Sequence, residues 1–363
     1  MPLAIAALPP PALVAPAPYE VSFGRVAGTV SPGTRRIRVF VAGRLAAEKE
    51  LRRRRFSVEV DLPRRDVTIW VTAFDDLGRR SSTVVGPVFG LPRAAAAQGG
   101  AQERNDPALS RTVRALARRF AGTCAIVVRD LRTGRGASWN ARVPFPAAST
   151  LKLAIAVELL RSLRAVPVAG TRTDVLVRRM LIYSDSKAAN ELLVQIGGST
   201  SGGSARVNAA MRTLGLTNTD MYGGYIVETE QAQPSFIGKR TTAWDLARLD
   251  RQLHLAAGAK GVLIARFRGE FTPSDARYLL YVLAHVREPG RLTRFLRGAS
   301  VLHKAGWIGV ARHDSGLVYW SGGVFVATVM TWNPSGVGTS SDVLAGRVAH
   351  ASLGRFGQLL QSR

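Results

Sequence analysis

Over residues 19–93 polar and apolar positions alternate with period two, as in Arg36-Ile37-Arg38-Val39-Phe40-Val41, Phe56-Ser57-Val58-Glu59-Val60 and Val67-Thr68-Ile69-Trp70-Val71-Thr72-Ala73. Alternation of this kind marks strands with one buried face. Turn residues separate the runs at Ser31-Pro32-Gly33, Leu62-Pro63 and Asp75-Asp76-Leu77-Gly78. Short strands at this spacing predict a small all-β sandwich. Residues 94–107, AAAAQGGAQERNDP, carry no apolar period and read as a linker.

Beyond residue 107 the pattern changes. A helix is predicted over 109–120, then a hairpin of strands 124–130 and 136–140 turning at Thr133-Gly134. Residues 149–290 are mostly helical in pattern, broken by a Gly/Ser-rich stretch at 197–204 and an irregular one at 217–240. Strand patterns return at 300–304, 307–312, 316–320 and 324–331, and a last helix is predicted over 340–360. This order implies an α+β domain over 108–363, with one antiparallel sheet completed by both ends and an all-helical insertion between them.

One apolar run carries a chemical question. Leu153-Ala154-Ile155-Ala156-Val157-Glu158-Leu159-Leu160 holds a single charge and predicts a helix buried on nearly every side. Ser149 and Lys152 stand at its start, three residues apart and so on one face. Burial lowers the pKa of an unpaired lysine, which would make a base beside a hydroxyl. The same pair also fits an ordinary N-cap with a lysine snorkelling from the first turn.

Composition narrows the field. The net charge of +25 comes from arginines spread through every segment. No zinc-finger spacing, basic region with heptads or aromatic RNA-binding signature accompanies it, which argues against specific nucleic-acid recognition. It suits attraction to an anionic envelope polymer. Lysine is confined to Lys49, Lys152, Lys187, Lys239, Lys260 and Lys304, so each one in a motif is notable. The lone Cys124 excludes an intramolecular disulfide and lies in an apolar strand pattern. Five histidines without H-E-x-x-H or paired cysteines predict no metal site. Residues 1–18 form an apolar, Pro-rich leader that resembles the end of a secretory signal, predicting export to the envelope or beyond, although a basic start is lacking. The leader is too short and Pro-broken to span a membrane.

Two further stretches complete a constellation: Ser184-Asp185-Ser186-Lys187-Ala188-Ala189-Asn190, and the strand His303-Lys304-Ala305-Gly306-Trp307. With Ser149-x-x-Lys152 they resemble, in order, the S-x-x-K, S-D-N and K-T-G set of class A β-lactamases and related penicillin-binding enzymes. The likeness covers about residues 108–363, and the sandwich resembles Ig-like modules appended to bacterial surface enzymes. The resemblance implies a serine hydrolase without metal or cofactor. Ser149 would be the acylated nucleophile, activated through Lys152. Ser184 would relay the proton to the leaving nitrogen, and Lys304 would supply positive charge at the substrate carboxylate. The backbone N–H groups of Ser149 and Trp307 would form the oxyanion hole beside Gly306, and Asn190 would brace the Ser184 loop.

Three departures stand against that pattern. Ser186 replaces the asparagine of S-D-N, and Ala305 replaces the hydroxyl residue of K-T-G. The family's E-x-x-L-N motif, whose glutamate prepares the deacylating water, is missing, and Glu228 is the stand-in. The leading expectation is opening of a β-lactam, or of a peptidoglycan-like amide, through a Ser149 acyl-enzyme. The alternatives are a D,D-peptidase-like acyl hydrolase and a penicilloyl-binding sensor or envelope-binding protein. Lys187 is read as solvent-facing, and Gly197–Gly203 as a flexible turn.

Overall fold

A computed structural model describes residues 7–226 and 239–362. The chain divides into two units, residues 1–96 and 97–363. Alternation governs the first. Its strands are β1 (Ala12–Ala15), β2 (Glu20–Ser22), β3 (Arg25–Thr29), β4 (Thr34–Val41), β5 (Arg44–Glu50), β6 (Arg55–Glu59), β7 (Asp66–Asp75) and β8 (Arg80–Gly90). They form one sheet ordered β1-β3-β6 and another ordered β2-β8-β7-β4-β5. In β7, Val67, Ile69, Val71 and Ala73 are buried while Thr68, Trp70 and Asp66 are exposed, the period of a half-buried strand. Val26 and Phe56 from one sheet and Ile37, Ile69 and Val88 from the other share one core.

The segment read as a leader belongs to this unit from Leu8 onward. Leu8 is buried, β1 pairs with β3, and the hydroxyls of Ser81 and Thr83 donate to the carbonyls of Pro9 and Pro11. The prolines carry no N–H of their own to donate, and their carbonyls still accept.

The second unit runs β9 (Arg104–Asn105), α1 (Pro107–Arg118), β10 (Thr123–Asp130), β11 (Arg135–Trp139), β12 (Phe145–Pro146), α2 (Lys152–Leu163), α3 (Arg172–Ile182), α4 (Ser186–Gly197), α5 (Thr200–Thr213), β13 (Arg240–Thr241), α6 (Ala243–Ala257), α7 (Gly261–Arg266), α8 (Pro273–Ala284), β14 (Ser300–Ile308), β15 (Ala311–Trp320), β16 (Gly323–Trp332) and α9 (Thr339–Gln361). Its six-stranded sheet has the order β14-β15-β16-β10-β11-β9, so both ends of the domain build it and the helices from α2 to α8 are inserted. Helices α1 and α9 pack on one face through Leu109, Val113, Val348 and Phe356 against Ile126, Val128 and Phe325. Helix α6 covers the other face, where Ser315 of β15 donates to the buried Asp250. Burial, offset in part by that bond and reinforced by Asp314, pushes the Asp250 carboxyl up to about 7. Among the described residues no helix is long and apolar enough to cross a membrane.

Three expectations change in detail. Strand β14 runs unbroken through Ala305 and Gly306 to Ile308, and the chain turns at Gly309-Val310, so residues 307–312 are the tip of a hairpin rather than a strand. Gly197–Gly203 is no loose turn: Ser199 caps the Gly202 N–H at 2.9 Å and α5 begins at once. A Cβ on Gly203 would meet the Leu193 carbonyl oxygen at 2.2 Å, so the glycines serve a close crossing of α4 and α5. Within the segment read as a linker, residues 98–106 bond to the second unit, with Gly99 N–H donating to Leu131 and Arg104 N–H to Gly134. Backbone bonding of that kind leaves no apolar period to read.

Candidate active site

The chain reaches Ser149 along a path held by backbone bonds. Strand β12 pairs with β13, and the Ala147 N–H donates to the Lys239 carbonyl at 2.8 Å. His313 of β15 is buried, with Nε2 at 2.6 Å from the Pro146 carbonyl and Nδ1 accepting from the Thr331 N–H at 3.2 Å. These partners fix the neutral tautomer with its proton on Nε2, and burial holds the imidazole down at about 4. Ser149 then sits half-buried in a single 3-10 turn, Ala148–Leu151, that runs into α2. Strand β14 crosses this turn at Gly306, where a Cβ would lie 2.6 Å from the Ser149 nitrogen and 2.9 Å from that of Thr150. Only a glycine lets the strand come this close.

Lys152 is fully buried. Its ammonium donates to the Ser184 carbonyl and to Ser186 Oγ at 3.1 Å, and lies 4.7 Å from the centre of the Tyr225 ring. Burial first, then the charge of Lys304, brings it down to about 7 against the opposing pull of Glu288 and Asp185. Ser184 adopts φ +58 between α3 and α4. Asp185 locks that bend: its carboxylate caps α4 at the Lys187 and Ala188 N–H groups, and it pairs with Arg179. Lys187 points outward and is exposed.

Among the described residues the Asn190 side chain bonds to the segment after α5 and not to the Ser184 loop it was expected to brace. From the next turn of α4 it accepts from the Tyr225 N–H at 2.6 Å and donates to the Ile226 carbonyl at 3.0 Å. Lys239 clamps the same segment, donating to the Gly224 carbonyl at 2.6 Å with its ammonium 5.1 Å from the Tyr225 ring centre. Burial lowers the Lys239 pKa as well. The Tyr225 hydroxyl is buried with no hydrogen-bond partner among the described residues. Glu228 lies outside the described residues.

Lys304, on β14, has a side chain only 1% exposed and is paired with Glu288 at 2.9 Å, with a second bond to the Ala305 carbonyl at 2.8 Å. Burial lowers its pKa while Glu288 works against that shift. Ala305 is buried and Trp307 is 62% exposed. His303 pairs with Asp314 at 2.7 Å behind the strand. Among the described residues no three His, Cys, Asp or Glu side chains form a group that could hold a metal ion.

The fold thus gathers Ser149, Lys152, Ser184, Ser186, Lys304 and Gly306 into one region. Three residues join them that sequence reasoning missed. Lys239 was signalled only by the scarcity of lysine; Tyr225 and Glu288 belong to no motif, and their positions come from long-range packing.

Known proteins share the architecture of the second unit. The family model described as the β-lactamase enzyme family matches residues 108–172 and 169–356. The solved structure of PBP-A is similar, at 23% identity and TM-score 0.58, over 71% of this chain and 98% of that one. A β-lactamase from Sphaerobacter thermophilus aligns at 19% identity and TM-score 0.55, over 70% of this chain and 98% of its own. One from Chitinophaga pinensis aligns at 16% and 0.56, over 69% and 99%. At these identities the likeness establishes the fold. No curated protein matches the chain.

Proposed function

The chain belongs to the β-lactamase enzyme family, and from that premise we propose that it is a serine acyl hydrolase acting on a β-lactam or related amide through Ser149. The neutral fraction of the Lys152 amine takes the Ser149 hydroxyl proton as Oγ attacks the carbonyl carbon. The backbone N–H groups of Ser149 and Trp307 receive the developing oxyanion, and the start of α2 favours its charge. Ser184 passes its hydroxyl proton to the leaving nitrogen and is reprotonated by the proton held on Lys152, which returns both groups to their starting states. Ser149 is then left as an ester, which water must cleave for turnover.

The observation that carries this reading is Lys152: buried, three residues after Ser149, bonded to the Ser184 carbonyl and the Ser186 hydroxyl, and shifted to about 7. A lysine so placed is a base at neutral pH, which a snorkelling surface lysine is not.

A second observation bears on turnover. The E-x-x-L-N motif, whose glutamate prepares the deacylating water in the resembled family, is missing from the chain. Its loss favours a slowly hydrolysed acyl-enzyme, as in the D,D-peptidase-like and penicilloyl-binding readings. Incubation with benzylpenicillin, followed by intact mass beside Ser149→Ala, decides among them. A Ser149-dependent adduct that decays with released penicilloate means a β-lactamase, and one that persists means a peptidase-like or sensor role. No adduct at millimolar penicillin sinks the acyl-enzyme.

The N-terminal unit fits an Ig-like module, and the positive charge of the chain suits an exported protein held at anionic envelope polymer. Such binding would weaken with salt and survive Ser149→Ala.

A further inference from the structure

Lys304 and Gly306 are two residues apart on β14 and share one face of the strand. Gly306 lies against the Ser149 nitrogen, and the Lys304 charge is felt at Lys152. Lys304 is therefore the cation a substrate anion would meet beside the nucleophile. Its charge is already engaged. Glu288 Oε1 sits 2.9 Å from Nζ with a side chain 16% exposed. Glu288 is itself fixed by Arg291 at 2.9 Å.

Arg291 also reaches Asp342 at 3.7 Å, and Arg312 grips Asp342 at 2.7 and 2.9 Å. Asp314 accepts from the Leu292 N–H and pairs with His303. Among the described residues Glu288 is the carboxylate in direct contact with the Lys304 ammonium, so what Lys304 offers an arriving anion is already partly compensated. Ala305 adds no hydroxyl that could bond one.

We propose that Glu288 is a specificity-determining residue that sets this site against substrates bearing a free carboxylate beside the scissile amide and in favour of acyl donors neutral at that position. A carboxylate arriving at Lys304 meets the Glu288 carboxylate, and the repulsion offsets what the ammonium offers. A neutral group meets no such opposition and accepts the remaining Lys304 N–H. The inference rests on the Ser149 acyl-enzyme and names its substrate class.

The test uses benzylpenicillin and its methyl ester, which share one lactam and differ in one charge. Acylation of Ser149 is followed by intact mass in the wild-type chain and in Glu288→Gln. The wild type is expected to react with the ester at least about tenfold faster than with the free acid, the worth of one charged hydrogen bond. Glu288→Gln is expected to raise the free-acid rate about tenfold and leave the ester within about threefold, because the carboxylate that opposes the substrate anion is gone. A wild-type preference for the free acid overturns the proposal whatever the variant does, so a variant that fails to fold does not shield it. Labelling of Ser149 by neither compound has a different signature: it removes the acyl-enzyme and this inference with it.

Discussion

His313 Nε2 lies 2.6 Å from the carbonyl oxygen of Pro146, which ties the second strand of the sheet edge to the segment that delivers Ser149. The imidazole is neutral and buried, so it braces the site without taking part in proton transfer.

Two buried groups on this side of the fold give stability opposite pH slopes. His313 falls from its ordinary 6.5 to about 4. Between those values the unfolded chain binds the extra proton, so this contribution rises with pH, is complete above 6.5 and is lost as pH falls towards 4. Asp250 rises from 3.8 to about 7. The folded chain then holds the extra proton, so that contribution is complete below 3.8 and is lost as pH rises through 7. The slopes overlap and offset one another. Asp250→Asn should leave the His313 limb alone, with stability climbing by a few kcal/mol, about 3 at most, from pH 4 to 6.5. Denaturant midpoints across pH 4–8 check it; an unchanged profile in Asp250→Asn would contradict it.

Acylation should follow the neutral form of Lys152. With the amine at about 7, the rate is expected to rise with pH through that value and level off above it. Lys152→Arg keeps the charge and cannot supply a base, so acylation should fall by about 10²–10⁴-fold with no rise near 7. A stopped-flow pH profile of Ser149 labelling is the measurement, and a wild-type rate flat from pH 5 to 9 would contradict the role of Lys152.

Ser184 holds a left-handed backbone, φ +58, that costs a residue with a Cβ about 1 kcal/mol. Ser184→Gly releases that strain, partly offset by the greater freedom of glycine in the unfolded chain. The expected outcome is equal or slightly raised stability, by up to about 1 kcal/mol, together with a loss of about 10²-fold or more in acylation as the proton relay disappears. Thermal melts and labelling rates on one preparation check both. Retained activity would remove Ser184 from the mechanism.

The Tyr225 hydroxyl is buried without a partner among the described residues, while its ring faces the Lys152 and Lys239 ammonium groups. Tyr225→Phe removes the unpaired group and keeps the ring, so stability should hold or rise by about 1 kcal/mol with the Lys152 midpoint in place. Asn190→Ala loses the bonds to both Tyr225 and Ile226 and should destabilise by about 1–3 kcal/mol. Melting curves of the two variants separate these effects; a strongly destabilised Tyr225→Phe would mean that the hydroxyl has a bonding role.

The sequence by itself determined a great deal. Period-two alternation suffices for the first unit because a half-buried sheet writes its register into every second residue, as in Val67, Ile69, Val71 and Ala73. The apolar run after Lys152 likewise required a buried helix, and so a buried amine. Ser149, Ser184 and Lys304 were legible because each stands in a short motif of local spacing. Tertiary structure alone decided the rest. The motif marks a strand as far as Trp307, but the tight turn at Gly309-Val310 and the pairing of Ala305 with Asp314 and Gly306 with His313 were decided by the hairpin. Glu288 comes to Lys304 from beyond the end of α8, and Tyr225 to Lys152 from beyond the end of α5. Such partners have no fixed spacing from the groups they meet, since packing between distant elements and not the local backbone period brings them together. Charge compensation and burial are properties of that packing, so the state of each lysine in the site was set only when the chain folded.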